Sequence, residues 1–136
     1  MSTQRFVQTG FRFVKIEAVD GDITLRSAKA VSDTKELKYV GSFECNDSRL
    51  NEIWKVGAYT VQLNMHEFLW DGVKRDRLVW IGDMHPETST IQRVFGYDDC
   101  VPKSLDLTKE CFAPDKWMNN IPSYTLWWIK IHWDWY

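Results

Sequence analysis

No run of apolar residues in this chain approaches the roughly 18 that a bilayer-crossing helix requires, so the 136 residues contain no candidate membrane span. No basic stretch is present, and the formal charge is −2, which argues against a nucleic-acid-binding surface. The first residues, Met1 to Phe6, carry charge with no apolar core behind them, so no signal peptide is expected there. Cysteine is scarce. Cys45, Cys100 and Cys111 are odd in number and lack any C-x-x-C spacing, which excludes a sequence-evident metal knuckle and leaves buried or free thiols, with a reducing compartment mildly favoured. Nothing in the chain decides between a cytoplasmic and a periplasmic parent. Internal repeats and low-complexity segments are also missing.

Aromatic residues, by contrast, are abundant. Eight Trp, five Tyr and seven Phe make up 15% of the chain and crowd toward its C-terminal half. Flat rings with a polar edge suit sugar faces and other amphipathic ligands, although filling a large helical core is the simpler role for any one of them. Trp117, Trp127 and Trp128 are the rings that could line a sugar subsite, with helix packing as the default.

Two periodicities divide the chain. Residues 5–8 and then 11–31 alternate apolar and polar with period two, broken by Asp20-Gly21-Asp22, which predicts strands and a tight hairpin. A hairpin of that size is marginal alone and calls for a sheet partner that no later segment supplies. From Asn46 the period changes to three and four. Leu50, Ile53, Trp54, Gly57, Val61 and Met65 predict an amphipathic helix of about five turns, capped by Asn46, Asp47 or Ser48. Pro86 and Glu87 suit the start of a second helix reaching about Phe95, and residues 98–110 are ambiguous. Ala113 to Lys116 reads as a loop. Pro122 suits the first turn of a last helix that is apolar nearly all round and carries no stop signal. The expectation is therefore a piece of a longer protein, with residues 1–40 belonging to one domain and 41–136 to another. Such a piece would expose apolar area and self-associate.

The segment Asp71 to Asp83 carries the chemistry. Asp71, Asp76 and Asp83 alternate with Lys74, Arg75 and Arg77, and the segment runs into the apolar stretch Leu78-Val79-Trp80-Ile81. Carboxylates beside arginines are costly to bury unless each is paired and hydrogen-bonded, and such clusters tend to mark tuned pKa values and held ligands. Gly72 and Gly82 argue against one continuous helix and for a turn leading into a short one. Three readings stay open on the residues alone. Asp76 is a general acid with Asp71, Asp83 and the arginines around hydroxyl groups, as glycoside hydrolysis requires. Alternatively the aspartates, with His66 or His85, hold a divalent cation, against which the interleaved cations compete. In the third reading the charges are structural ion pairs. His66 and His85 read as pocket or structural histidines, and Asn119 and Asn120 as turn formers.

Several stretches resemble the bacterial α-L-rhamnosidase family. Gly41-Ser-Phe-Glu-Cys-Asn-Asp-Ser-Arg-Leu-Asn-Glu-Ile-Trp54 is similar to the start of its catalytic domain, and Asp71-Gly-x-x-Arg-Asp-Arg-x-x-Trp80-x-Gly-Asp83 to its central substrate-binding motif. Ile121-Pro-Ser-Tyr-x-Leu-Trp-Trp128 fits a later helix, and Gln8-Thr-Gly-Phe-Arg-Phe-Val-Lys-Ile-Glu17 the strand closing the preceding β-sandwich. The resemblance implies a mainly α fold: the first helices of an (α/α)6 barrel (a six-hairpin glycosidase) after the last strands of a β-sandwich. It implies inverting hydrolysis of terminal α-L-rhamnose in a rhamnose-containing glycan or glycoside, with no cofactor and no metal. By position, Asp76 matches the general acid, and Asp71, Arg75, Trp80 and Asp83 match the residues that hold the sugar. The family usually has glutamate where Asp76 stands, one methylene longer. The matching base would lie beyond Tyr136, so the chain alone is expected to be inactive. Asp134 and Glu110 are the carboxylates left over, and both read as solvated or capping residues.

Overall fold

The computed structural model describes residues 10–136, which divide into two units, Met1–Asp33 and Thr34–Tyr136. In the first unit, residues 10–33 form no helix or strand; they run as irregular chain with bends at Arg12 and from Val19 to Gly21. The hairpin expected over 11–31 is thus corrected, while residues 5–8 lie outside the described residues. The physical reason is the one that made the hairpin marginal: Phe13, Val14, Leu25 and Val31 are all more than half exposed, so no face is buried to offset the ordering of two strands.

The second unit is helical. α1 spans Ser48–Asn64, α2 Ile81–Val94, α3 Cys100–Cys111 and α4 Pro122–Trp135, with a single 3-10 turn at Met118–Asn120 before α4. The Asp47 side chain caps α1 by accepting the N–H groups of Arg49 and Leu50. The expected apolar face of α1 is only half used. Ala58, Val61 and Asn64 are buried in its C-terminal half, whereas Leu50 and Ile53 are about half exposed. α3 settles the ambiguous stretch. Cys100, Val101, Ser104, Leu105 and Thr108 fall on one buried face, and the Asp98 carboxylate accepts the Cys100 N–H at 2.9 Å. Burial pushes the Cys100 thiol well up, so this cysteine is inert packing. α4 opens on Pro122 as expected, and only Ile131 of its residues is buried; Leu126, Ile129 and Trp133 are exposed.

α2 begins five residues before the proline that the sequence marked as its start. Pro86 therefore sits inside the helix, where its missing N–H leaves one ladder bond unmade. The earlier start is favoured by packing, because Ile81, Met84, Thr88, Ile91 and Val94 form one buried stripe. It is also favoured by a distant cap, because the Asn119 Oδ1 accepts the Ile81 N–H at 3.1 Å. Each fully buried Ile or Met on that stripe contributes about 1.5–3 kcal/mol by removal from water. Gly96, in the left-handed region at φ +83°, ends α2, and its N–H reaches back to the Ile91 carbonyl. α2 packs most extensively on α4 and also meets α1 and α3, so the segment entering it is held from several sides. Among the described residues no helix is long and apolar enough to cross a membrane.

Candidate functional site

The polypeptide leaves α1 through a tight reversal, with Met65 bridged to Leu69 and the Trp70 N–H donating to the Asn64 carbonyl at 3.0 Å. The next residue is Asp71. Its side chain is nearly fully buried, and two hydrogen bonds close the loop that follows. The Asp71 N–H donates to the Leu78 carbonyl at 3.0 Å, and the Leu78 N–H donates to the Asp71 Oδ1 at 2.9 Å. The Arg75 guanidinium lies 4.0 Å from Oδ2 but is itself largely in water, so it contributes little beyond long-range charge. The costly burial anticipated for the carboxylate cluster is therefore met at Asp71, where one backbone donor, the Leu78 N–H, offsets part of it.

Asp76 is in the opposite situation. It is exposed, in the middle of a three-residue turn in which the Arg77 N–H donates to the Arg75 carbonyl. Asp76 and Arg77 both have positive φ, 41° and 51°, a conformation sparsely populated by residues with a Cβ and one that recurs at functional sites. The Arg77 guanidinium stands over the Trp70 ring, 5.8 Å from its centroid.

Trp80 is clamped by its neighbours' backbone. Asn119 donates from Nδ2 to the Val79 carbonyl at 3.0 Å while accepting from Ile81, so one amide fixes the residues on either side of the indole. Asn119 and Asn120 take left-handed conformations, as turn formers do, and Asn119 adds this positioning role. The Trp80 ring meets Tyr124 edge-on at 6.2 Å, and its indole nitrogen is buried without a hydrogen-bond partner. Tyr124 also donates toward the Asp83 Oδ2 at 3.5 Å, a long contact. Gly82 makes this approach possible, since a Cβ there would overlap the Tyr124 ring. Asp83 itself is exposed in the first turn of α2, where a carboxylate is favoured by the helix dipole.

The sequence reading overlooked Glu87. It lies one turn beyond Asp83 and accepts the Asn64 Nδ2 hydrogen bond on Oε1 at 3.1 Å, while Oε2 is buried without a partner. Burial pushes its carboxyl group up to about 7, the Asn64 hydrogen bond opposes this, and the charges of Asp83 and Asp71 push it further up. The available signal was the i, i+4 spacing from Asp83, hidden when the helix was started at Pro86.

The histidines and the leftover carboxylates stand apart from this group. His66 contacts the Leu63 carbonyl at 3.0 Å. His85 is on the other flank of α2, against Trp127 at 4.4 Å and 3.5 Å from Asp134. Lys130, at 2.7 Å, holds the Asp134 carboxyl below its usual range, so Asp134 is a surface ion-pair member of α4. Glu110 is exposed on α3. Trp128 donates to the Leu105 carbonyl at 3.1 Å, a packing role, whereas Trp117 is 55% exposed. Among the described residues no three His, Cys, Asp or Glu side chains come together as a metal site.

Residues 38–136 match the model of the bacterial alpha-L-rhamnosidase six-hairpin glycosidase domain, and the chain belongs to that family. An alpha-L-rhamnosidase of Formosa agariphila is 29% identical to it over 118 residues, covering 85% of this chain and 12% of that protein. The chain thus spans about one eighth of the length of that relative.

Proposed function

We propose that this chain contributes the sugar-holding half of an active site that hydrolyses terminal α-L-rhamnose by inversion. The observation that carries the reading is the buried, doubly bonded Asp71 on the loop that leads to the clamped Trp80 and to Asp83, within a member of the rhamnosidase family. In this reading Asp71 and Asp83 accept hydrogen bonds from sugar hydroxyls, Trp80 stacks on the ring and Arg75 closes over a polar edge. Asp76 donates the proton to the leaving oxygen. Because Asp76 is exposed, it becomes an effective acid only when bound sugar and Trp80 exclude water from it. The base that activates water stands about 6.5–9.5 Å from the acid in an inverting enzyme and is supplied by a part of the protein outside residues 1–136. The β-sandwich origin of residues 1–40 belongs to the same proposal.

The test is release of rhamnose from an aryl α-L-rhamnoside by the complete protein. Asp76→Asn should lower turnover by roughly 10²–10⁴-fold, and full activity in that variant overturns the assignment. One observation favours a second reading, a non-catalytic rhamnose-binding relative: the acid position carries the shorter aspartate and faces water. Saturable binding of rhamnose by calorimetry without turnover by the complete protein selects that reading.

A further inference from the structure

Glu87 is the one acidic side chain of α2 that the chain encloses. Asp83 and Glu87 share a flank of the helix, and Glu87 reaches across to the last turn of α1, where Asn64 meets it. Asn64 is buried, and its carbonyl accepts the N–H of Trp70, the residue before Asp71. A single polar contact therefore joins the end of α1, the root of the charged loop and the second turn of α2. If that contact were only a bolt between helices, a neutral amide would serve as well, and would leave no carboxylate oxygen enclosed without a partner. What an amide would not reproduce is the electrostatic link. The charges of Asp83 and Asp71 both push the Glu87 carboxyl group further up, beyond what its burial does.

We propose that Glu87 is a positioning residue of the sugar-holding site, set between α1 and α2 and coupled to Asp71 and Asp83. The inference rests on the reading that those two aspartates hold sugar hydroxyls. While Glu87 carries its proton, it adds no charge beside the two aspartates that accept hydrogen bonds from the ligand. When Glu87 ionises, a third negative charge is forced into the same enclosed region. The groups facing it are Asp83 from α2, Asp71 from the loop and the uncharged Asn64 amide from α1. None of them carries a positive charge, so the aspartates are crowded even though the Asn64 hydrogen bond itself is strengthened by the charge. Affinity for a terminal rhamnoside is then greatest below neutrality and weakens as the pH rises through about 7.

Two measurements separate this inference from the functional reading beneath it. The first needs no sugar: carboxyl carbon resonances of the 136-residue chain are followed by NMR from pH 4 to 9. Glu87 is expected to titrate near neutrality, with the carboxyl carbon signals of Asp71 and Asp83 showing a shared step at that pH as they sense its charge, a step that is lost in Glu87→Gln. Titration of Glu87 in the ordinary glutamate range, or no shared step in the aspartates, overturns the inference whatever the protein binds. The unaltered chain supplies this result, so a folding defect in the variant does not rescue the idea. The second measurement is calorimetric binding of methyl α-L-rhamnoside to the complete protein at pH 6 and pH 8. Several-fold weaker binding at pH 8, abolished in Glu87→Gln, is expected. Equal pH dependence in both proteins overturns the coupling and leaves the sugar site standing. Shared titration without sugar binding at either pH overturns the sugar reading, and with it the assignment of Glu87 to a sugar site.

Discussion

The loop 71–80 and the first two turns of α2 place carboxyl groups under opposite conditions a short distance apart in sequence. On the loop, Asp76 is in water on a strained backbone. On the helix, Glu87 is enclosed, bonded to a buried amide and pressed by two neighbouring charges. The proposed function puts the proton donor on the loop, whereas burial puts the perturbed proton affinity on the helix. The difference teaches that a motif position and a tuned group need not coincide, because desolvation by other elements, and not the order of residues, raises a carboxyl group's proton affinity.

The largest expected effect lies in the reaction itself. In the complete protein, Asp76→Asn should lower kcat by roughly 10²–10⁴-fold, the usual contribution of a positioned general acid, whereas Glu87→Gln at pH 6 should lower it far less. A reversal of that ranking in the rhamnoside assay moves the acid from loop to helix. Next comes stability. Because the folded state raises the Glu87 proton affinity, its contribution is full below the ordinary glutamate value and is lost as the pH rises from 4.5 to about 7. The loss amounts to about 3 kcal/mol by linkage. Urea unfolding of the 136-residue chain at pH 4.5 and 7.5 should show it, and the difference should vanish in Glu87→Gln. A smaller effect is expected for Gly82→Ala, which drives a methyl group into the Tyr124 ring at the junction of loop and helix. It should cost about 1–3 kcal/mol by overpacking, read as a lower urea midpoint. Arg77→Ala, losing the guanidinium from the Trp70 face, should cost about 0.5–1 kcal/mol. A larger loss would mean that the loop is more tightly tied to Trp70 than the geometry indicates.

Local signals made most helices legible. Asp47 and the three-and-four spacing after it marked α1, and Pro122 marked α4, because a cap and a fixed φ act within one turn. The start of α2 was not legible, since its cap is an asparagine 38 residues away and its proline sits where a local reading puts a first residue. The hairpin over 11–31 failed for a related reason. Alternation describes a face to be buried, and in residues 10–33 nothing buries it. In the site, the cluster Asp71–Asp83 was legible as costly to bury, but the burial of Asp71 among its members, the exposure of Asp76 and the enclosure of Glu87 were not.

By itself, the sequence determined the order and spacing of the polar groups from Asp71 to Asp83, the family to which the chain belongs, and the ends of those helices that carry local caps. Only the tertiary structure decided which carboxyl groups lie in water and which are enclosed. Spacing along a chain is a covalent property, whereas desolvation depends on side chains that arrive from elsewhere: Asn64 from α1, Asn119 from the turn before α4 and Tyr124 from α4 itself.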